Sequence, residues 1–335
     1  MASELPPPRA LPWHQPLWEQ VRARRGQGTL PHALLLTGPH GVGKQQFAAR
    51  LAMALVCESP QLEKQPCGQC KGCTLAQSGT HPDIHWLRPE EPGKAIRIDA
   101  VRELIGRSTL TTQAVGSRVF LISPADAMNR ASANALLKTL EEPTASSTLI
   151  LISSDPHRLP ATIRSRCQTL VFKPVDAQQA GEWLEGQVEG AHKQALLAFS
   201  GGAPLLALEA AEQQRLQGIA QLLGQLLELK SRRVNPMQIV EAWLARPLDG
   251  LLDDLSRACS DLVQVCAGVQ GSRLFNPGSA AQLQSLAEDI HLAELFRFID
   301  RFNELRRLMT HNLNPQMLLE KIVTDWLALT RPGVR

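Results

Sequence analysis

One stretch near the N-terminus limits the possible folds more than any other part of this chain. An apolar run, HALLLTG (32–38), leads into the glycine-rich GPHGVGKQ (38–45), and apolar residues at helical spacing follow in segment 43–56. A strand, a glycine-rich turn and a helix in this order are the setting that a phosphate-binding loop requires. Four further short apolar runs alternate with helical or loop segments: IHWL (84–87), RVFLI (118–122), TLILI (148–152) and TLVF (169–172). The pattern predicts a P-loop NTPase-like α/β domain with a five-stranded parallel sheet, covered on both faces.

After residue 173 the strand signals stop and the chain takes on a helical character. We predict three domains: the α/β domain over 1–173, a small helical domain over 174–209 and an all-helical domain over 210–335. A formal charge of +3 on 335 residues neither requires nor excludes a nucleic-acid partner. We find no apolar run of about 18 residues and no secretory signal, so we expect a cytoplasmic protein.

The glycine-rich loop carries most of a phosphate-binding motif. Gly38, Gly41 and Gly43 let backbone N–H groups point at phosphate oxygens, and Lys44 has the length to reach the β- and γ-phosphates. The pattern G-x-x-x-x-G-K-[ST] ends in a hydroxyl that binds Mg²⁺, whereas this chain has Gln45. The loop therefore keeps its backbone cradle and loses its metal ligand.

The acidic group that such a site needs is also missing from its usual place. The strand RVFLI runs into Ser123-Pro124 instead of an acidic pair that would hold the metal and polarise water. Asp126 follows three positions later and is a weak substitute. We therefore expect no ATP hydrolysis at this loop. Two alternatives stay open for the loop itself: it binds ATP or ADP without turnover, or it is only a tight strand-to-helix turn.

Four of the seven cysteines lie within one short segment, CESPQLEKQPCGQCKGC (57–73). Cys57, Cys67, Cys70 and Cys73 follow the spacing C-x9-C-x2-C-x2-C, which indicates a metal site because four thiolates suit tetrahedral zinc. With four protein ligands no position is left for water, so we predict a structural zinc ion that pins this insertion onto the domain. Unligated thiols and an iron–sulfur cluster are the alternatives.

Two further stretches, NALLKTLEEP (134–143) and TLILISSDPHRLPATIRSRC (148–167), together with GPHGVGK, resemble the clamp-loader branch of the AAA+ ATPases. The resemblance covers most of residues 30–205, and beyond them only length and helical character fit. It implies an AAA+ domain with a zinc-binding insertion, a helical lid and a C-terminal collar that oligomerises. It also implies a hetero-pentamer with motor (gamma or tau) and delta subunits. That complex would load a sliding clamp onto primed DNA for a DNA polymerase.

The triplet SRC (165–167) carries this family's arginine finger, and the resemblance places that role on Arg166. Such an arginine projects toward the ATP of a neighbouring subunit, where a permanently charged guanidinium suits a γ-phosphate. Motor subunits carry another arginine in the helical domain, and SGGAPLL (200–206) has proline or leucine at that place. The resemblance thus implies a non-hydrolysing subunit that assists a neighbour. From the residues alone, an arginine salt-bridged within its own domain is the alternative.

Two other functions stay open. An ATP-hydrolysing motor subunit would use Gln45 and Asp126 as unusual replacements. A stand-alone zinc-dependent DNA-binding protein would rely on short basic clusters, namely Arg22, Arg24 and Arg25, or Arg232 and Arg233. These clusters lack interleaved aromatic residues and are more typical of a solvated surface.

Overall fold

The computed structural model describes residues 6, 8–59, 66–91, 93–108, 117–143, 147–190, 192–268, 274–308 and 314–331. The chain divides into two compact units, Met1–Gln179 and Ala180–Arg335. Among the described residues, no single helix is long and apolar enough to cross a membrane.

A five-stranded parallel sheet forms the centre of the first unit, which confirms the predicted fold class. Its strands are β1 (Ala33–Thr37), β2 (Ile84–Leu87), β3 (Arg118–Ile122), β4 (Ser147–Ser153) and β5 (Gln168–Val171). Their order is β2-β3-β4-β1-β5, so β1 pairs in parallel with both β4 and β5. Every residue of β1 is buried, whereas in the edge strand β5 only Leu170 is buried.

Helices cover both faces of this sheet. They are α1 (Gln15–Gly26), α2 (Lys44–Val56), α3 (Lys71–Gln77), α4 (Ile98–Ser108), α5 (Arg130–Glu141) and α6 (Ala161–Arg164). Successive strand side chains point to opposite faces. Leu34 and Leu36 of β1 pack in one apolar core with Phe47 of α2, and Leu35 packs in a second core with Leu136 of α5. Burial of both faces explains why β1 is a continuous apolar run rather than an alternating one.

The second unit is all-helical in its described part. After α7 (Ala177–Leu184), which crosses the boundary between the units, come α8 (Lys193–Phe199), α9 (Pro204–Glu212), α10 (Arg215–Lys230), α11 (Pro236–Leu244), α12 (Leu248–Cys266), α13 (Ala280–Ala287), α14 (Leu292–Leu308) and α15 (Pro315–Leu329). One apolar core contains Phe199 of α8, Trp243 of α11 and Trp326 of α15. Residues from both predicted helical domains share this core, so their separation at 209/210 stays a prediction.

The last helix, α15, begins with a side-chain cap. The side chain of Asn314 accepts a hydrogen bond from the backbone N–H of Gln316, and Pro315 occupies the first turn. One face of this helix is an apolar stripe of four buried residues, Leu319, Ile322, Val323 and Trp326.

Candidate functional site

The glycine-rich loop lies between the carboxyl end of β1 and the first turn of α2. Gly38, Gly41 and Gly43 have φ angles of 141°, 73° and 88°, which residues other than glycine rarely adopt. A Cβ on Gly38 would stand 2.2 Å from the carbonyl oxygen of Phe172, and one on Gly43 would stand 2.4 Å from Leu11 Cδ1. These glycines are therefore required by the fold of the loop itself, whether or not a phosphate binds there.

The ammonium group of Lys44 turns back onto its own chain. Its Nζ lies 2.7 Å from the carbonyl oxygen of Gly38, 2.6 Å from that of Pro39 and 2.9 Å from Ser154 Oγ. An ammonium has three N–H donors, so these three contacts use all of them. Burial lowers the pKa of Lys44 to about 8, and the negative charge of Asp126 opposes that shift.

Gln45 and Asp126, the two residues that would have to replace the usual metal ligand and acid, are also engaged within the chain. The Gln45 amide Nε2 donates to Ser123 Oγ at 3.0 Å. Oδ1 of Asp126 accepts from Ser153 Oγ at 2.6 Å and from the backbone N–H of Ser154 at 3.3 Å. Together with Lys44 these contacts form a network that joins the ends of β1, β3 and β4.

An N-terminal segment that the sequence did not single out packs against the loop. In a short 3-10 helix, Pro12–His14, the Trp13 indole N–H and His14 Nε2 both lie 2.8 Å from the carbonyl oxygen of Val42. His14 is fully buried, and its ring meets Phe47 and Phe172 edge-on. Burial lowers the pKa of His14 to about 4, so the ring is neutral at physiological pH.

The four clustered cysteines come together at the carboxyl end of α2. The Sγ atoms of Cys57, Cys67, Cys70 and Cys73 all lie within 4.8 Å of one another. Cys67 Sγ is 3.8 Å from Cys73 Sγ, and Cys70 Sγ is 3.9 Å from Cys57 Sγ. A tetrahedral site with Zn–S bonds of about 2.3 Å has sulfur–sulfur distances of about 3.8 Å. The donor set therefore fits a zinc ion.

Backbone groups around the cluster suit thiolates. The N–H groups of Cys67 and Cys70 point at the sulfurs of Cys57 and Cys67, at 3.4 and 3.3 Å. Backbone hydrogen bonds lower the pKa of Cys67 to about 6. A Cβ on Gly72 would lie 2.3 Å from the carbonyl oxygen of Val56, so only glycine lets this insertion approach α2 so closely. Residues 60–65 of the predicted zinc module lie outside the described residues.

Arg166 is placed away from the loop, between α6 and the edge strand β5. Its Nε and Nη2 atoms lie 2.9 and 2.6 Å from the same oxygen of Glu141, Oε1, and Nη1 donates to the carbonyl oxygen of Thr162 at 3.1 Å. The side chains of Arg166 and Glu141 keep 36% and 51% of their surface exposed. In this single chain the arginine thus makes the internal salt bridge that the sequence left as an alternative.

Arg166 and the glycine-rich loop of the same chain lie at opposite ends of the strands. Arg166 comes just before β5, and β5 runs parallel to β1 with Gln168 paired to Leu34 and Val171 paired to Thr37. The loop follows the opposite, carboxyl end of β1. A five-residue strand such as β1 extends about 16 Å, at roughly 3.3 Å per residue. The two predicted sites are therefore at opposite ends of the strands.

The sheet order, with a glycine-rich loop between β1 and α2, defines the class of the first unit as an AAA+ ATPase fold. Residues 13–176 match the family model "DNA polymerase III, delta subunit", and residues 213–328 match the model of its C-terminal part. The chain is 36% identical over 333 residues to DNA polymerase III subunit delta′ of Pseudomonas aeruginosa, with 96% of this chain and 98% of that protein covered.

The corresponding protein of Escherichia coli K12 is 32% identical over 334 residues, and the match covers 93% of this chain and 98% of that protein. DNA polymerase III subunit tau of E. coli is 30% identical over 274 residues, which are 82% of this chain and 40% of tau. The chain belongs to the DNA polymerase III delta′ subunits, a family of clamp-loader proteins.

Proposed function

We propose that this chain is a non-hydrolysing clamp-loader subunit whose Arg166 completes the ATP site of a neighbouring motor subunit. The observation that carries the proposal is the position of Arg166 at the amino end of the strands, whereas the chain's own loop lies at their carboxyl end. An exposed guanidinium so placed is out of reach of its own loop and accessible to another subunit. A permanent positive charge with N–H groups in a rigid fork suits a γ-phosphate there.

The contacts of the loop support an inert site. All three N–H donors of Lys44 are used by Gly38, Pro39 and Ser154, so a phosphate would have to displace them. The amide of Gln45 binds Ser123 Oγ instead of standing free for a metal. Helix α9, which follows the Gly-Gly turn of the helical region, contains no lysine or arginine. These features favour a structural loop over the ATP-hydrolysing motor alternative.

The zinc ion belongs to this proposal as a structural element. Cys57, Cys67, Cys70 and Cys73 would hold it, and its four thiolate ligands leave no position for a reacting water. The ion would tie the insertion to the end of α2 and would take no part in chemistry.

The proposed partners follow from the family and from the similarity to tau. We propose that the chain assembles with motor subunits (gamma or tau) and a delta subunit in a cytoplasmic hetero-pentamer. Within it, residues 174–209 would act as a lid and residues 210–335 as a collar that holds the ring together. The complex would load the sliding clamp onto primed DNA during replication.

Replacement of Arg166 tests the proposal. We expect Arg166→Ala to slow ATP hydrolysis at the neighbouring site by one to two orders of magnitude. The measurement is the ATPase rate of the reconstituted complex with clamp and primed DNA present. Arg158→Ala is the control, because Arg158 is an exposed arginine in the segment between β4 and β5 and lies nearer the carboxyl end of β4. An unchanged rate in the Arg166 variant would rule out the finger. ATP turnover by the purified chain alone, abolished by Lys44→Ala, would favour the motor alternative.

A further inference from the structure

The salt bridge between Glu141 and Arg166 has a geometry that stability does not explain. Glu141 is the last residue of α5, where the helix dipole disfavours a carboxylate. Both side chains are more than a third exposed, and exposed ion pairs contribute only about 0–1 kcal/mol. The contact therefore adds little to folding, although it fixes the orientation of one particular guanidinium.

The contacts engage only part of the guanidinium. Glu141 Oε1 is approached by Nε and Nη2, along one side of the planar group, and the carbonyl of Thr162 takes one N–H of Nη1. Each terminal nitrogen carries two N–H groups, so each keeps a second one that these contacts do not use. The N–H groups on the two terminal nitrogens of a guanidinium can donate to a pair of phosphoryl oxygens.

We propose that Glu141 is a positioning residue for Arg166: its carboxylate holds the guanidinium from the side while the terminal N–H groups face the neighbour's nucleotide. This inference rests on the proposed function of Arg166 as a finger in trans. A pre-oriented arginine loses less side-chain freedom when it meets the phosphate, and orientation of catalytic groups is a large contribution to rate. Because Glu141 ends α5, a displacement of this helix would also move the finger.

The test uses Glu141→Ala in the reconstituted complex, assayed for ATP turnover with sliding clamp and primed DNA. We expect kcat to fall by about three- to tenfold with KM changed less than twofold, since orientation matters most in the transition state. Glu142→Ala is the matched control, because Glu142 is the next residue and the structure gives it no contact with Arg166. The melting temperature of the variant should stay close to that of the wild type.

A second measurement separates positioning from an independent effect. In the Arg166→Ala background, Glu141→Ala should lower kcat no further, because its action passes through the arginine. A full additional loss in that background would overturn the inference, and so would a rate within twofold of wild type, or above it, for Glu141→Ala alone. If Arg166→Ala itself leaves the rate unchanged, the proposed function fails first and the role of Glu141 fails with it.

Discussion

The ammonium of Lys44 lies 2.9 Å from the hydroxyl oxygen of Ser154, although 110 residues separate the two in the sequence. Lys44 starts the helix after β1, and Ser154 follows the end of β4, the neighbouring strand. This contact joins the glycine-rich loop to the end of the next strand. The residue that would bind phosphate in an active site is thus engaged by groups of its own chain.

We expect Lys44→Met to lower the free energy of unfolding by about 1–3 kcal/mol, because it leaves the carbonyls of Gly38 and Pro39 and the Ser154 hydroxyl without their donor. Urea denaturation followed by circular dichroism measures the change. Lys173→Met, at an exposed lysine, is the control. An equal or higher stability for Lys44→Met would mean that the buried ammonium is a burden to the fold and is held ready for a ligand.

Stability should fall in mild acid because of His14. Its pKa is about 4 in the folded chain against 6.5 for an ordinary histidine, so between these pH values the unfolded chain binds a proton that the folded chain does not. The free energy of unfolding therefore decreases as the pH falls from 6.5 to 4, by up to about 3 kcal/mol from this group. Urea titrations across this range, for wild type and His14→Gln, measure the difference.

The glutamine variant should show a flatter dependence in that window, since it has no group that titrates there. Parallel curves for the two proteins would contradict the assignment to His14. The physical reason for the shift is visible at Nδ1, which is buried and has no hydrogen-bond partner among the described residues. A proton placed there would be desolvated without an acceptor.

Removal of zinc should destabilise the first unit. We expect one zinc ion per purified chain by elemental analysis, and loss of that ion together with a lower melting temperature in Cys73→Ser, because three thiolates hold zinc less well than four. Cys266→Ser, outside the cluster, serves as the control. A chain that purifies without metal would contradict a structural zinc site. A melting temperature that strong chelators do not change would contradict it as well.

Two adjacent aspartates in α12 should differ sharply in importance. Asp254 is fully buried, and its two carboxylate oxygens lie 2.5 and 2.6 Å from Arg215 and Arg246. Asp253 pairs with Arg306 at the surface. Removal of one member of a buried ion pair costs about 3–5 kcal/mol, whereas an exposed pair is worth about 0–1 kcal/mol.

We therefore expect Asp254→Ala to lower the free energy of unfolding by several times more than Asp253→Ala does. Chemical denaturation of the two variants side by side checks this, and equal losses would show that the buried carboxylate is not the centre of the arginine cluster. Arg257, whose Nη1 is 3.8 Å from Asp254 Oδ1, adds a third positive charge to the same site.

Local patterns in the sequence were enough to predict the architecture of the first unit. Strand β2 and strand β3 have the predicted bounds, and β4 and β5 differ from the predicted runs by one residue at each end. Apolar runs that are buried on both faces can be recognised without knowledge of their neighbours. The spacing of the four cysteines likewise predicted that their sulfurs would meet, because C-x-x-C turns bring ligands together over a few residues.

Contacts between distant segments could not be predicted in this way. Nothing in the order of residues places His14 under the glycine-rich loop or pairs Arg166 with Glu141, 25 residues earlier. The segment LPWHQPLW (11–18) contains no motif that would connect it to the loop. Residues from the two predicted helical domains also share one apolar core, a fact that helix periodicity does not contain.

The sequence by itself determined the strands, the glycine-rich loop, the clustering of the four cysteines and the family, since each depends on residues that are close together in the chain. Only the tertiary structure decided that the donors of Lys44 are consumed internally and that Arg166 lies at the far end of the sheet from its own loop. The reason is that such contacts depend on the order of the strands and the packing of the helices. That arrangement is fixed by apolar burial and hydrogen bonding between residues far apart in the sequence, acting together.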